Sequence, residues 1–141
     1  MKFRLIDRVI ERGGDRLVTE LHVRGDEDYL RDHFPTFPVL PGVLMLEAMV
    51  QAARELADPG DRSDPPLVLG AVRALKYGRF VKPGESIRVE VARATEGLDF
   101  KGRVEVGEGE GSVAASGRFT LRPARLERAG ATRVGAPRAF A

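Results

Sequence analysis

The sequence predicts an α+β domain in which a curved antiparallel sheet of about six strands wraps around one long central helix. Three observations support this: two short β-compatible segments near the start, one apolar segment of helical character in the middle, and four later segments whose apolar residues alternate. At 141 residues the chain has the length of a single domain. We expect residues 1–122 to form that domain and residues 123–141 to form a basic, flexible tail.

The first two predicted strands form a β-hairpin. Residues 3–11 and 15–23 carry the apolar positions, and Gly13 and Gly14 between them suit a tight turn. His22 lies between apolar neighbours on the second strand, so we expect it to face solvent. Residues 25–41 contain three prolines, which remove backbone donors and indicate an ordered loop that is neither helix interior nor central strand.

The central helix is predicted to begin at Pro41, because proline fits the first helical position. It should end before the sequence Asp58-Pro59-Gly60. Between residues 43 and 53 only Glu47 and Gln51 are polar. A helix that is apolar nearly all round belongs in the protein core, so we expect other elements to surround this one.

The rest of the folded body is predicted to consist of four consecutive antiparallel strands. Alternation is clearest where Ile87, Val89 and Val91 are interleaved with polar residues, a period of two with one buried face. Turn-forming glycines and a Pro-Gly pair separate the segments. The predicted strands cover residues 67–81, 86–95, 98–106 and 111–121.

Composition excludes several classes of function. The chain has no Cys, and its two histidines lie eleven residues apart, so we expect no disulfide, metal site or cofactor. The most apolar stretch, residues 41–53, is interrupted by Glu47 and Gln51 and is shorter than the roughly 20 residues that cross a bilayer. With no signal-peptide pattern at the start, we expect a cytoplasmic protein without membrane insertion.

The formal net charge of +2 conceals an asymmetry along the chain. Residues 1–117 carry 17 Lys plus Arg against 20 Asp plus Glu, a balance of −3, whereas residues 118–141 carry 6 Arg against Glu127, a balance of +5. Nucleic-acid binding usually requires a basic face on the folded body. We therefore expect no nucleic-acid partner and interpret the basic end as a solvated arm.

Two side chains stand out as candidates for chemistry. Glu47 is a carboxylate on an otherwise apolar helix, which is costly because burial disfavours its charged form. It either serves a function or lies along one wet edge of the helix with Gln51 and Arg54. His33 lies in the proline-rich loop leading to the same helix. Together with the free N–H groups at the helix start, these residues suit acid–base chemistry on an acyl group.

The segment HFPTFPVLPGVLMLEAMVQAA resembles the active-site segment of the FabZ-type 3-hydroxyacyl-acyl-carrier-protein dehydratases, which have the hotdog fold. His33 and Glu47 keep the family's spacing of fourteen residues, with Pro41, Gly42 and Gln51 in matching places. Weaker similarity extends over roughly residues 4–122. The resemblance implies a dehydratase that removes water from (3R)-hydroxyacyl thioesters in fatty-acid or polyketide-type synthesis.

The resemblance also implies the roles of individual residues. His33 would take the α-proton, and Glu47 would protonate or orient the departing hydroxyl. The Gly42 N–H would bind the thioester carbonyl, the Val39 carbonyl would fix the His33 ring, and Gln51 would line the substrate site. By the same likeness the site lies at a homodimer interface, with His from one subunit and Glu from the other, and the dimer could assemble further into a trimer of dimers.

The implied partner is an acyl carrier protein, and carrier proteins are acidic. Candidates for docking it are five basic residues: Arg54, Arg73, Lys76, Arg79 and Lys82. Met45, Met49, Tyr77 and Phe80 are either core residues or lining of the acyl tunnel. Two alternatives keep the fold: an acyl-thioesterase, or a non-catalytic carrier-binding or partner subunit, which the departures from the family pattern at Thr36 and Phe37 favour.

Overall fold

The computed structural model describes residues 4–24, 39–94, 97–107 and 112–125, which form one six-stranded antiparallel sheet and one α-helix. This is the hotdog arrangement, as the sequence predicted. The elements in chain order are β1 Arg8–Arg12, β2 Arg16–His22, α1 Gly42–Ala57, β3 Leu67–Tyr77, β4 Ser86–Arg93, β5 Asp99–Val106 and β6 Val113–Pro123.

The predicted hairpin is confirmed. β1 and β2 pair antiparallel, and the turn between them is closed by the Gly13 N–H, which donates to the Arg16 carbonyl at 2.8 Å. His22 is exposed at the end of β2, where its Nδ1 lies 3.0 Å from Ser86 Oγ on β4. The proline-rich residues 25–38 and the tail residues 126–141 lie outside the described residues.

The order of the strands differs from a run of four consecutive neighbours. The sheet has the order β1-β2-β4-β5-β6-β3, so β3 pairs with β6 and β4 pairs with β2. Residues 78–85, which join β3 to β4, pass the start of α1 instead of forming a tight hairpin. Two backbone bonds hold this segment: Leu40 N–H to the Val81 carbonyl at 2.8 Å, and Gly84 N–H to the Val23 carbonyl at 2.7 Å.

Helix α1 packs against one face of the sheet. Pro41 precedes the first helical residue, and the helix ends at Ala57. The carboxylate of Asp58 accepts the N–H groups of Ser63 and Arg62, and these hydrogen bonds hold the pKa of Asp58 below its ordinary value. Met49 is fully buried against β5, where a Cβ on Gly102 would come within 2.7 Å of its sulfur. Glycine at position 102 therefore allows the helix to approach the sheet closely.

The core lies between α1 and the inward face of the sheet. Phe100 and Phe119 on neighbouring strands stack there with ring centroids 5.8 Å apart, and both are fully buried. The expectation that α1 is surrounded on all sides is met only in part, because Val43 is 66% exposed on the side away from the sheet. One face of the helix start is thus left open by the described part of the chain.

No helix within the described ranges has the length and apolar character needed to span a bilayer.

Candidate active site

Glu47 is held in place by a neighbour one helical turn along α1. Its side chain is half-buried, and its Oε2 accepts a hydrogen bond from Gln51 Nε2 at 3.1 Å. The pairing with Gln51 considered from the sequence is therefore present, whereas Arg54 bonds instead to Asp61 at 3.1 Å. Of the two neighbours considered for the wet edge of the helix, only Gln51 hydrogen-bonds Glu47.

Gln51 is itself oriented by a distant backbone group. Its Oε1 accepts the N–H of Leu5 at 2.8 Å, forty-six positions away in the chain. Because the amide oxygen is engaged by a donor, the amide nitrogen is the atom that faces Glu47. The segment before β1 thus fixes the orientation of Gln51, and Gln51 fixes the carboxylate of Glu47.

Glu47 opens into a polar cavity of about 300 Å³ beside the helix. The cavity is flanked by Gln51 and by both positive and negative side chains of the segment before β1, the helix and its C-terminal turn. Its lining residues are Arg4, Ile6, Glu47, Gln51, Arg54, Glu55, Asp58 and Asp61.

The start of α1 opens into a second, mainly apolar cavity of about 440 Å³. Pro41, which precedes the first helical residue, makes no side-chain cap, and the Leu44 N–H donates to the Pro41 carbonyl at 2.9 Å. A Cβ at Gly42 would lie 3.0 Å from the Tyr77 ring, so a larger residue here would require that ring to shift. The cavity is lined by Val39, Leu40, Gly42, Met45, Tyr77, Gly78, Arg79 and Phe80.

The site residues named from the sequence thus form two groups on one chain. Glu47 and Gln51 are brought together at the polar cavity, and Val39 and Gly42 at the apolar one. These cavities, as the described residues line them, have no residue in common. Gly42 and Glu47 are five residues apart on the helix, which is about 7.5 Å along its axis. His33 lies outside the described residues.

The structure distinguishes core residues from cavity-lining residues among Met45, Met49, Tyr77 and Phe80. Met49 is core, and Met45 is buried but lines the apolar cavity. Tyr77 and Phe80 are 51% and 60% exposed and also line that cavity, so they are not core residues.

A loop ion pair shapes the rim of the apolar cavity. Arg79 Nη2 lies 2.7 Å from Glu85 Oε2, and Arg79 Nε donates to the Phe80 carbonyl at 2.9 Å. Burial alone would raise the pKa of Glu85, but the Lys82 N–H and the Arg79 guanidinium hold this pKa below its ordinary value. Arg79, a docking candidate from the sequence, is therefore already engaged within its own loop.

Among the described residues, no cluster of three or more His, Cys, Asp or Glu side chains is placed to hold a metal ion.

Comparison with known proteins identifies the family. Residues 9–118 match the family described as "ApeI-like: ApeI dehydratase". The chain belongs to this dehydratase family. It is 38% identical over 113 residues to the 3-hydroxyacyl-[acyl-carrier-protein] dehydratase FabZ of Moorella thermoacetica, an alignment covering 79% of this chain and 76% of that protein.

Two further proteins are similar to the ApeI-like chain, one in sequence and one in structure. The FabZ of Solibacter usitatus is 37% identical over 91 residues, which span 63% of this chain and 56% of that relative's length. Among solved structures, the dehydratase heterocomplex ApeI:P from Xenorhabdus doucetiae superimposes with a TM-score of 0.68 at 20% identity, covering 86% of this chain and 98% of that one. The dehydratase class and the hotdog fold expected from the sequence are therefore confirmed.

Proposed function

We propose that this protein removes water from (3R)-hydroxyacyl thioesters carried by an acyl carrier protein, giving trans-2-enoyl thioesters. The observation that carries the proposal is the carboxylate of Glu47, held by Gln51 on the helix whose start opens into an apolar cavity. Membership of a dehydratase family supports the reaction type. We also retain as proposals a cytoplasmic location, a domain spanning residues 1–122 and a separate tail at residues 123–141.

In the proposed mechanism His33 takes a proton from C2 of the acyl chain. The electron pair of that C–H bond forms the C2=C3 double bond, while the C3–O bond breaks and the hydroxyl leaves as water with a proton from Glu47. Negative charge developing on the thioester oxygen is stabilised by the Gly42 N–H. The Val39 carbonyl orients the His33 ring. The elimination is redox-neutral, so it requires no oxidant or reductant.

We further propose that each site is shared between two subunits of a homodimer. On one chain Glu47 and Gly42 open into different cavities, so a single subunit does not present both to one acyl chain within its described part. The open side of the helix start, with exposed Val43, supports a partner subunit at this position. His33 and Gly42 of one subunit would then act with Glu47 of the other.

The reaction is tested by incubating the protein with (3R)-3-hydroxyacyl thioesters of increasing chain length, on a carrier protein and on N-acetylcysteamine. We expect the trans-2-enoyl product, without release of free thiol. Thiol release would instead indicate a thioesterase, and carrier binding without either product would indicate a non-catalytic partner subunit. The chain length with the highest kcat/KM would define the substrate class.

Gln51→Glu is expected to lower kcat for dehydration about 10-fold while KM changes little. The variant keeps an acceptor for the Leu5 N–H but replaces the donor facing Glu47 with an oxygen, and a hydrogen bond to a charged group contributes about 1.5–3 kcal/mol. Steady-state kinetics measure kcat and KM.

Gln51→Leu serves as the comparison, because it removes the hydrogen bonds of Gln51 to Leu5 and to Glu47. It should show a similar loss of kcat and, in addition, a free energy of unfolding lower by about 1–3 kcal/mol, since the Leu5 N–H loses its acceptor. A Gln51→Glu enzyme with kcat within twofold of the parent would contradict a positioning role for this residue.

A further inference from the structure

The sheet has a second face, directed away from α1, that the proposed reaction does not use. On β5 the buried residues Phe100 and Gly102 alternate with the exposed residues Lys101 and Arg103. Gly102 faces Met49 of the helix, so Lys101 and Arg103 project from the opposite, outer face.

Strand register places like charges side by side on this outer face. Arg73 on β3 lies opposite Arg118 on β6, which lies opposite Lys101 on β5. Directly opposed like charges on neighbouring strands are destabilising. Arg73 lies 3.6 Å from an Asp99 oxygen, whereas Lys101 and Arg118 are exposed and form no ion pair with any of the residues that the structure describes.

A fourth cation extends this row along the edge strand. Lys76 is exposed on β3 opposite Ser116. We call Arg73, Lys76, Lys101 and Arg118 the basic strip. Tyr77, the next residue along β3, lines the apolar cavity at Gly42, so the same edge strand carries residues of the strip and of the cavity where the acyl chain is proposed to bind.

Three residues of the basic strip, Lys76, Lys101 and Arg118, line a groove of about 520 Å³ on the outer face. Its floor includes the small side chains of Ala74, Ala92 and Ser116, which allow a partner to approach the sheet closely. Among the described residues that line the groove, the one carboxylate is Glu90, and it is paired with Arg16 at 2.6 Å. The described lining of the groove is therefore positive.

Charge decides which partner fits this groove. Residues 126–141 of the chain carry three Arg against one Glu, so the chain's own end has the same sign as the strip. A second copy laid face to face would oppose strip to strip. An acidic protein surface relieves the repulsion among the strip residues, and such complementarity steers association.

We propose that the basic strip and its groove bind the acidic surface of the acyl carrier protein that delivers the substrate. This inference rests on the proposed function. It replaces the dispersed set of docking candidates from the sequence with a continuous surface that retains Arg73 and Lys76, adds Lys101 and Arg118, and leaves out Arg79, which its own loop engages.

Arg118→Glu is the sharpest test, with Arg122→Glu as the matched control. Both positions are exposed on β6, but Arg122 does not line the groove. Glu at position 118 would be flanked by Arg73 and Lys101, so it removes a repulsion and should not impair folding. A fluorescently labelled acyl carrier protein is titrated with each variant of the full chain, at low and at high salt.

We expect Arg118→Glu to weaken carrier binding about 10-fold or more at low salt, and Arg122→Glu to change it less than twofold. The difference should shrink at high salt, where charges are screened. KM for carrier-bound substrate should rise in Arg118→Glu, with turnover of the N-acetylcysteamine thioester unchanged.

Equal effects of the two substitutions, or no binding of the carrier to the parent protein, would overturn the proposal. The proposal would also be overturned if Arg118→Glu lost binding to anionic phospholipid vesicles while carrier binding stayed intact. That result would assign the strip to a lipid surface. The titration does not depend on turnover. An inactive protein that still binds the carrier through Arg118 would therefore contradict the proposed reaction but not this surface.

Discussion

Glu47→Gln is expected to lower kcat for dehydration about 10²- to 10⁴-fold, the usual contribution of a positioned acid or base. The amide has nearly the shape of the carboxyl group but cannot supply a proton to the departing hydroxyl. Gln51 can still donate to the new amide oxygen, so the local arrangement of the helix should persist. The loss should therefore appear in kcat, measured as formation of the enoyl thioester under saturating substrate.

Glu20→Gln provides the control outside the candidate site. Glu20 makes an ion pair with Arg8 at 2.6 Å and lines neither cavity, so its loss should cost at most about 1 kcal/mol of stability. Its kcat should stay within about twofold of the parent. A Glu47→Gln enzyme that loses less than tenfold, with an unfolding transition like that of the parent, would remove Glu47 from the reaction.

Local features of the fold could be predicted from the sequence because their signals are local. Pro41 and the Asp58-Pro59-Gly60 sequence marked the ends of α1, and alternation marked β4 and β5. The pairing of β3 with β6 could not be predicted in this way, because it depends on how residues 78–85 pass the start of the helix. β3 is also an edge strand with a long exposed stretch, so its burial does not follow a simple alternation.

In the candidate site, too, some contacts could be predicted from the sequence and others could not. Glu47 and Gln51 are four residues apart on a helix, and that spacing predicts their contact. The bond from the Leu5 N–H to Gln51 has no signature in the sequence, because every residue except proline carries a backbone donor. The packing of Tyr77 on Gly42 joins two distant segments, so the close approach at the helix start becomes evident only from the structure.

A mixed dimer of His33→Ala and Glu47→Gln subunits is expected to recover about half of the parent activity, although each variant alone is nearly inactive. If His from one subunit acts with Glu from the other, the mixed dimer contains one site with both groups intact and one site with neither. If both groups come from the same chain, every site in the mixed dimer lacks one of them. The mixed dimer should therefore have about half of the parent activity if the sites are shared between subunits, and almost none if they are not.

The mixed dimer is prepared by co-expressing the two variants with different affinity tags and purifying through both in succession. A dimer of two His33→Ala chains carrying the same two tags is the control, since it has undergone identical handling but contains no intact site. Because Glu47 and Gly42 of one chain open into different cavities, we expect the restored activity to come from the shared arrangement. A mixed dimer no more active than this control would mean that the two subunits do not share a site.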